Sequence, residues 1–232
     1  MIGRQRQSEI RRRLASTGFV ATRELAAALE VDVSTIRRDL DGLARAGMVQ
    51  RTHGGALAAG SAVGEAADLP YALKEHRCVA EKAAIAAHAA GLVSDGDSLV
   101  LDSGSTTFAV AAALTAREGL TVATNDLRIA HLLAGRGGVR LLVTGGQLLG
   151  DVFTLVGPIT VDNLVDLHVD WAFLGADAVD AEIGVTNRNT VEVPIKQAML
   201  QAAARAVLVA DSAKFGRRAL AAVSGLDAFT QV

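Results

Sequence analysis

Chemistry is concentrated in two places in this sequence, and the first is S-T-I-R-R-D-L-D-G-L-A-R, residues 34–45. At about 100° per residue, Ser34, Arg38, Asp41 and Arg45 share one side of a helix, with Thr35 and Arg37 flanking them. Guanidinium forks suit phosphate oxygens and the acceptor edge of guanine, and short hydroxyls reach phosphate or any base edge. The chemistry on offer is a grip on duplex DNA. The second place is Asp102-Ser103-Gly104-Ser105-Thr106-Thr107, where a glycine lets the backbone approach closely among hydroxyls at a helix start. Amide donors at a helix N-terminus make an anion seat, and the natural guest is a phosphate.

Elements must hold these groups in place. Asp32 can cap the first helix through its side-chain oxygen, and Gly47 supplies the left-handed turn that ends it roughly four turns later. Ile36, Leu40 and Leu43 form the apolar stripe that must pack inward. An amphipathic helix with arginines outward is also what plain solubility demands, so its neighbours decide. Upstream, Gln7 to Leu14 reads as a helix with Ile10 and Leu14 inward, and Thr22 caps a second, Arg23 to Leu29, with Leu25 and Leu29 inward. Arg23 adds a cation at the start of that second helix. Downstream, Met48 to Arg51 alternates like a short strand, and Thr52-His53-Gly54-Gly55 supplies a turn, so Arg51 and His53 would flank the groove. Three short helices and a ribbon, the most basic outer face on the third, are what a winged helix-turn-helix needs. This unit is expected over residues 1–57.

The small-residue stretch 58–70, lacking periodicity, reads as a linker. From Tyr71 helices and strands alternate: helix 79–92, strand 98–101, helix 106–114, strand 120–123, helix 126–133, strand 139–143, helix 159–167, strand 171–174, helix 193–204 and strand 206–209. That order predicts an α/β domain over 71–232, with a mostly parallel sheet covered on both faces and ligands bound outside the carboxyl ends of its strands. The loops there are polar: 102–107, then Thr124-Asn125-Asp126, Thr144-Gly145-Gly146, Gly175-Ala176-Asp177 and Asp211-Ser212-Ala213-Lys214. Singly each is ordinary turn chemistry. Five at one rim suggest a binding site.

Composition agrees. Residues 1–57 hold 10 Lys+Arg against 6 Asp+Glu, net +4, whereas the remainder holds 13 against 19, net −6. The basic end suits nucleic acid. Cys78 is the one cysteine, which precludes an internal disulfide framework and reads as an inert small side chain in a reducing compartment. The absence of a long apolar run or of an apolar leader after the polar, basic start points to the cytoplasm. Five scattered histidines, His53, His76, His88, His131 and His168, lack metal-ligand spacing, and there is no nucleophile elbow. Neither a metal, a cofactor nor a catalytic residue is expected.

The string T-I-R-R-D-L, then L-x-x-x-G, then R-x-H-G-G-A resembles the DeoR family of bacterial transcription regulators, with Asp32 standing where the family commonly has Ser. L-D-S-G-S-T-T, T-N, G-G, F-L-G-A-D and A-D-S-A-K-F-G resemble the family's sensor domain, which is similar in fold to ribose-5-phosphate isomerase and binds phosphorylated sugars or related metabolites. The resemblance implies that Ser103 to Thr107 hold the phosphate, with Asp102 beside them in the effector site, that Asn125 and Gly145 line the pocket, and that Asp177 and Lys214 contact the sugar. Arg77 and Lys82 fall in its R-x-x-x-E-K lead-in. It also implies a homo-oligomer, dimer or tetramer, that represses carbohydrate metabolism genes from double-stranded operator DNA. Gln231-Val232 stand where the family has an aspartate and a further strand or helix, so the resemblance implies a shortened last sheet element.

The competing reading is a sugar-phosphate isomerase. Isomerases of that fold carry a lysine and a glycine-rich turn soon after G-A-D, and here that region reads Gly184-Val185-Thr186-Asn187-Arg188-Asn189. Glu192 and Lys196, one helical turn apart, read as a surface pair. Binding without turnover is the expectation.

Overall fold

Ile10, Leu14, Leu25, Leu29, Ile36, Leu40 and Leu43 recur at helical spacing, and in the computed structural model they close on one another with Val20, Val49 and Ala56 as a single buried cluster. The structure describes residues 3–17, 19–51, 54–58, 74–75 and 77–232. It divides into two units that meet in sequence between Arg77 and Cys78. The expected linker falls almost wholly on residues outside the described ones, except that Ala58 belongs to a strand of the first unit.

In the first unit α1 (Gly3–Thr17), α2 (Thr22–Ala28) and α3 (Val33–Arg45) surround a small sheet of β1 (Phe19–Ala21), β2 (Val49–Arg51) and β3 (Gly55–Ala58), in the order β1-β3-β2. Both pairings are antiparallel, with Ala21 opposite Gly55 and Arg51 opposite Ala56. The sequence did not announce β1, which is only a three-residue strand. Nor is Thr22 a cap: it is the first residue of α2, buried, and its amide donates to Gly54 O at 2.8 Å. Asp32 does occupy the N-cap position of α3, but its side chain makes no capping bond. Its backbone carbonyl instead accepts from the Thr35 and Ile36 amides at 2.9 and 3.2 Å. At the other end Gly47 adopts φ +69°, and the Met48 amide closes back on Leu43 O at 2.9 Å. That is the expected left-handed termination.

The second unit begins with α4 (Val79–Leu92) and alternates β4 (Ser98–Leu101), α5 (Ser105–Ala113), β5 (Leu120–Thr124), α6 (Leu127–Leu133) and β6 (Val139–Val143). A hairpin of β7 (Gln147–Leu149) and β8 (Thr154–Val156) leads to α7 (Pro158–Val165) and β9 (Val169–Leu174). Then follow β10 (Ala178–Asp180), β11 (Gly184–Asn187), α8 (Val193–Ala202), β12 (Ala203–Leu208) and β13 (Ala221–Ser224). β12-β9-β4-β5-β6 form a five-stranded parallel sheet. Because side chains alternate across a strand, Leu99 and Leu101 enter one core with Ala86, Val110 and Ile129 of the first three helices, while Val100 enters the other with Leu164, Ile195 and Met199. The hairpin and a second sheet, β10-β11-β13, were not legible in the sequence. At the chain end Gln231 bridges in parallel to Val207, and Leu208 N donates to Gln231 O at 3.0 Å, so the last residues extend the sheet beyond β12. Among the described residues no helix is long and apolar enough to cross a membrane.

Candidate functional site

On α3 the inward stripe leaves Ser34, Arg37, Arg38, Asp41 and Arg45 exposed and Thr35 half-buried; Arg23 is exposed on α2. Two residues read as separate contacts are bound to each other. Arg51 Nε donates to Asp41 Oδ1 at 2.8 Å, and another of its nitrogens donates to Gly55 O at 2.8 Å. The carboxylate on α3 therefore holds the β2 arginine in place, although both groups keep contact with solvent, which screens the pair. Arg45 Nε reaches back to Asp41 O at 3.3 Å. Asp39, not singled out by the sequence, is buried and pairs with Arg6, bracing α3 against α1. His53 lies outside the described residues.

At the carboxyl end of β4 the Asp102 side chain is 3% exposed. Its Oδ2 accepts the Gly175 amide at 2.9 Å and a short bond from the Lys196 ammonium, which also donates to Gly175 O at 2.9 Å. Lys196 is thus not half of a surface pair. It is buried, and although burial pulls its pKa down, the carboxylates of Asp102, Glu192 and Asp177 outweigh that and raise it. Glu192 accepts from Asn187 Nδ2 at 2.8 Å instead. Asp177, buried after β9, accepts the Arg188 amide at 3.0 Å.

Next along the loop, the donors of Ser103 and Gly104 are taken by a carboxylate of the protein itself. Ser103 Oγ donates to Asp126 Oδ2 at 2.9 Å, and Gly104 N donates to the same oxygen at 3.2 Å. Asp126 Oδ1 caps α6, accepting from the Arg128 and Ile129 amides at 2.7 and 3.1 Å. Burial raises the Asp126 pKa, and these donors oppose the rise. Thr107 Oγ1 donates to Gly104 O at 2.9 Å and fixes the turn. In the first turn of α5 the hydroxyls of Ser105 and Thr106 make no hydrogen bond among the described residues.

The other strand ends complete the rim. Asn125 is buried; its Nδ2 donates to Leu155 O at 3.1 Å and its Oδ1 has no partner among the described residues. Gly145 O accepts from Thr160 Oγ1 at 2.8 Å, and a Cβ on Gly146 would lie 2.2 Å from that hydroxyl oxygen. The close approach at this pair is therefore made by α7. Lys214 is half-buried in the 3-10 turn after β12, and its amide donates to Asp211 O at 3.0 Å. Two further residues carried no signal in the sequence: Thr154, whose hydroxyl meets that of Ser103 at 2.5 Å, and Arg128, whose guanidinium lies 5.1 Å from the Phe108 ring centroid and 5.6 Å from that of Phe153.

Of the two lead-in residues, Arg77 is exposed and Lys82 buried in α4. Beside them Cys78, Glu81 and Asp211 bring potential ligand atoms within 4.8 Å of one another. Burial and the two carboxylates raise the Cys78 pKa, favouring the thiol over the metal-binding thiolate, and Glu81 already accepts from Ser212 Oγ at 3.0 Å. A hydrogen-bonded corner describes these three side chains.

The chain matches the family model for the DeoR C terminal sensor domain over residues 77–232 and that for the DeoR-like helix-turn-helix domain over residues 6–62. It is 36% identical over 215 residues to the glycerol-3-phosphate regulon repressor of Haemophilus influenzae, covering 93% of this chain and 82% of that protein. It is 34% identical over 216 residues to the putative aga operon transcriptional repressor of Escherichia coli O157:H7, covering 93% and 80%. Among solved structures, ribose 5-phosphate isomerase A of Methanocaldococcus jannaschii is 18% identical with a TM-score of 0.43, covering 59% of this chain and 54% of that one. The fold assignment rests on the sheet order and the family match. Since each family model falls on one of the two units just described, and together they span nearly the whole sequence, this protein belongs to the DeoR family of DNA-binding transcriptional regulators.

Proposed function

We propose that this protein is a cytoplasmic repressor of carbohydrate metabolism genes, released from its operator by a phosphorylated sugar or related metabolite bound at the strand ends of the sensor unit. The observation that carries the DNA half is the exposed run of Ser34, Arg37, Arg38 and Arg45 on one helix, with Arg51 held beside it by Asp41. Arg23 is exposed on α2 and is assigned to the same surface, and His53 joins the assignment from its place in the sequence. Paired copies in a homo-oligomer, dimer or tetramer, would set the recognition helices on repeated or inverted half-sites. Much of the affinity would come from phosphates, so binding should fall steeply with salt. Arg38→Ala is expected to weaken operator binding by about 1–3 kcal/mol and to relax preference at one base position. Fluorescence anisotropy on duplexes from the chain's own upstream region checks this, and an unchanged isotherm contradicts the assigned face.

For the effector, the phosphate is assigned to the Ser105 and Thr106 turn, with Asp102, Ser103, Gly104 and Thr107 shaping the loop and Asn125, Gly145, Asp177 and Lys214 lining the rest. The first turn of α5 offers amide donors and two hydroxyls without partners. The relatives' names, one of them a glycerol-3-phosphate regulon repressor, support a phosphorylated ligand. Regulation requires that the ligand bind the DNA-competent and DNA-free arrangements with different affinity. Thr106→Glu places a carboxylate where the phosphate belongs. It should abolish release by phosphorylated sugars while leaving duplex binding intact, and release equal to that of the wild type in the same anisotropy titration would refute the seat.

A further inference from the structure

Asn187 ends β11 with its side chain buried, and its amide is oriented without ambiguity. A carboxylate can only accept, so the group within 2.8 Å of Glu192 Oε2 must be Nδ2, which turns Oδ1 away from Glu192. That oxygen has no donor among the described residues. The β10–β11 register, Ala178 opposite Thr186, puts Asn187 opposite Asp177, which follows β9. β9 pairs with β4 in turn, Phe173 opposite Leu101, so Asp102 emerges beside the same strand end. There Lys196 engages Asp102 Oδ2 and Gly175 O together, and Asp102 Oδ1 makes no hydrogen bond among the described residues.

Asn187 Oδ1 is a buried acceptor without a donor, and Asp102 Oδ1, at the end of β4, is left without one by the Lys196 contact to Oδ2, so a ligand that brought donors to both would complete their hydrogen bonds. A fully ionised phosphate monoester has no donor to give them, whereas the hydroxyl groups of a sugar or polyol do. We propose that Asn187 Oδ1 and Asp102 Oδ1 accept hydroxyl groups of the effector's carbon chain, with Lys196 as the positioning residue that fixes Asp102. This rests on the assignment of the phosphate to α5 and adds the part of the site that distinguishes one phosphorylated sugar from another. Neither Asn187 nor Lys196 carried a binding signal in the sequence. A site built to satisfy buried acceptors rejects a ligand lacking the matching hydroxyl, because those acceptors then stay unpaired.

The test is calorimetric titration of the full chain with inorganic phosphate, a panel of hexose, pentose and glycerol phosphates, and each singly deoxygenated form of the tightest binder. In the wild type, removing at least one hydroxyl should weaken binding by about tenfold or more. In Asn187→Ala that discrimination should shrink while the affinity for inorganic phosphate stays unchanged. Equal binding of the parent and every deoxy form by the wild type would overturn the inference without recourse to any variant. Full discrimination retained by folded Asn187→Ala would overturn it also, and in either case the phosphate seat would stand. If no phosphorylated sugar binds the wild type, both the seat and the inference fall.

Discussion

Lys196→Met is expected to cost the sensor unit roughly 3–5 kcal/mol, the usual penalty for leaving one member of a buried ion pair without its partner. The Lys196 and Asp102 side chains are 5% and 3% exposed, so water cannot replace the lost contact. Gly175 would lose its bond to the ammonium as well, and the loops after β4 and β9 would part. The check is thermal and urea unfolding, followed by a signal from Trp171, which is buried in this unit. Replacing both residues, Lys196→Met with Asp102→Asn, should recover a large part of the loss, because the stranded charge is then gone. A single variant as stable as the wild type would show that the pair does not bind the rim together.

Gly55→Ala is expected to dismantle the wing and with it DNA binding. A Cβ at Gly55 would stand 1.9 Å from Val20 O and 2.8 Å from the Phe19 ring. The first of these is a backbone atom and cannot rotate aside, so the pairing of Ala21 with Gly55 must open. Overpacking typically costs about 1–3 kcal/mol, and a clash with backbone belongs at the upper end. In a unit with one small core that is a large share of the total stability. The expected result is a lower melting temperature for the first unit and loss of duplex binding, with calorimetric binding of phosphorylated sugars retained by the sensor. Wild-type affinity for duplex DNA would contradict the role given to the wing.

Elements long enough to show a period were legible in the sequence. Helix 79–92 and strands 98–101 and 139–143 are legible to the residue, because an alanine-rich helix and short aliphatic runs leave little choice of boundary. β1, β7, β8 and β10 have three residues each, too few for alternation to register, and they form only because a partner strand lies beside them. The site divided in the same way. Loops after strands could be found from glycine, serine and threonine, but not who satisfies whom. A glutamate and a lysine four apart read as surface chemistry, since nothing local shows that Asp102, 94 residues upstream, lies against the lysine. Asp126 was read as part of a polar cluster, and only the fold shows that its carboxylate takes the donors of Ser103 and Gly104. Likewise Asp41 and Arg51 both fit a DNA-facing surface by type, yet their spacing gives no hint that they bind each other.

The most direct measurement titrates the full chain, held on a duplex from its own upstream region at low ionic strength, with sugars in phosphorylated and unphosphorylated form. At least one phosphorylated sugar should release the duplex while its unphosphorylated counterpart leaves the complex intact. A chain that ignores the duplex at low salt, or a complex that no phosphorylated sugar disturbs, would contradict the account.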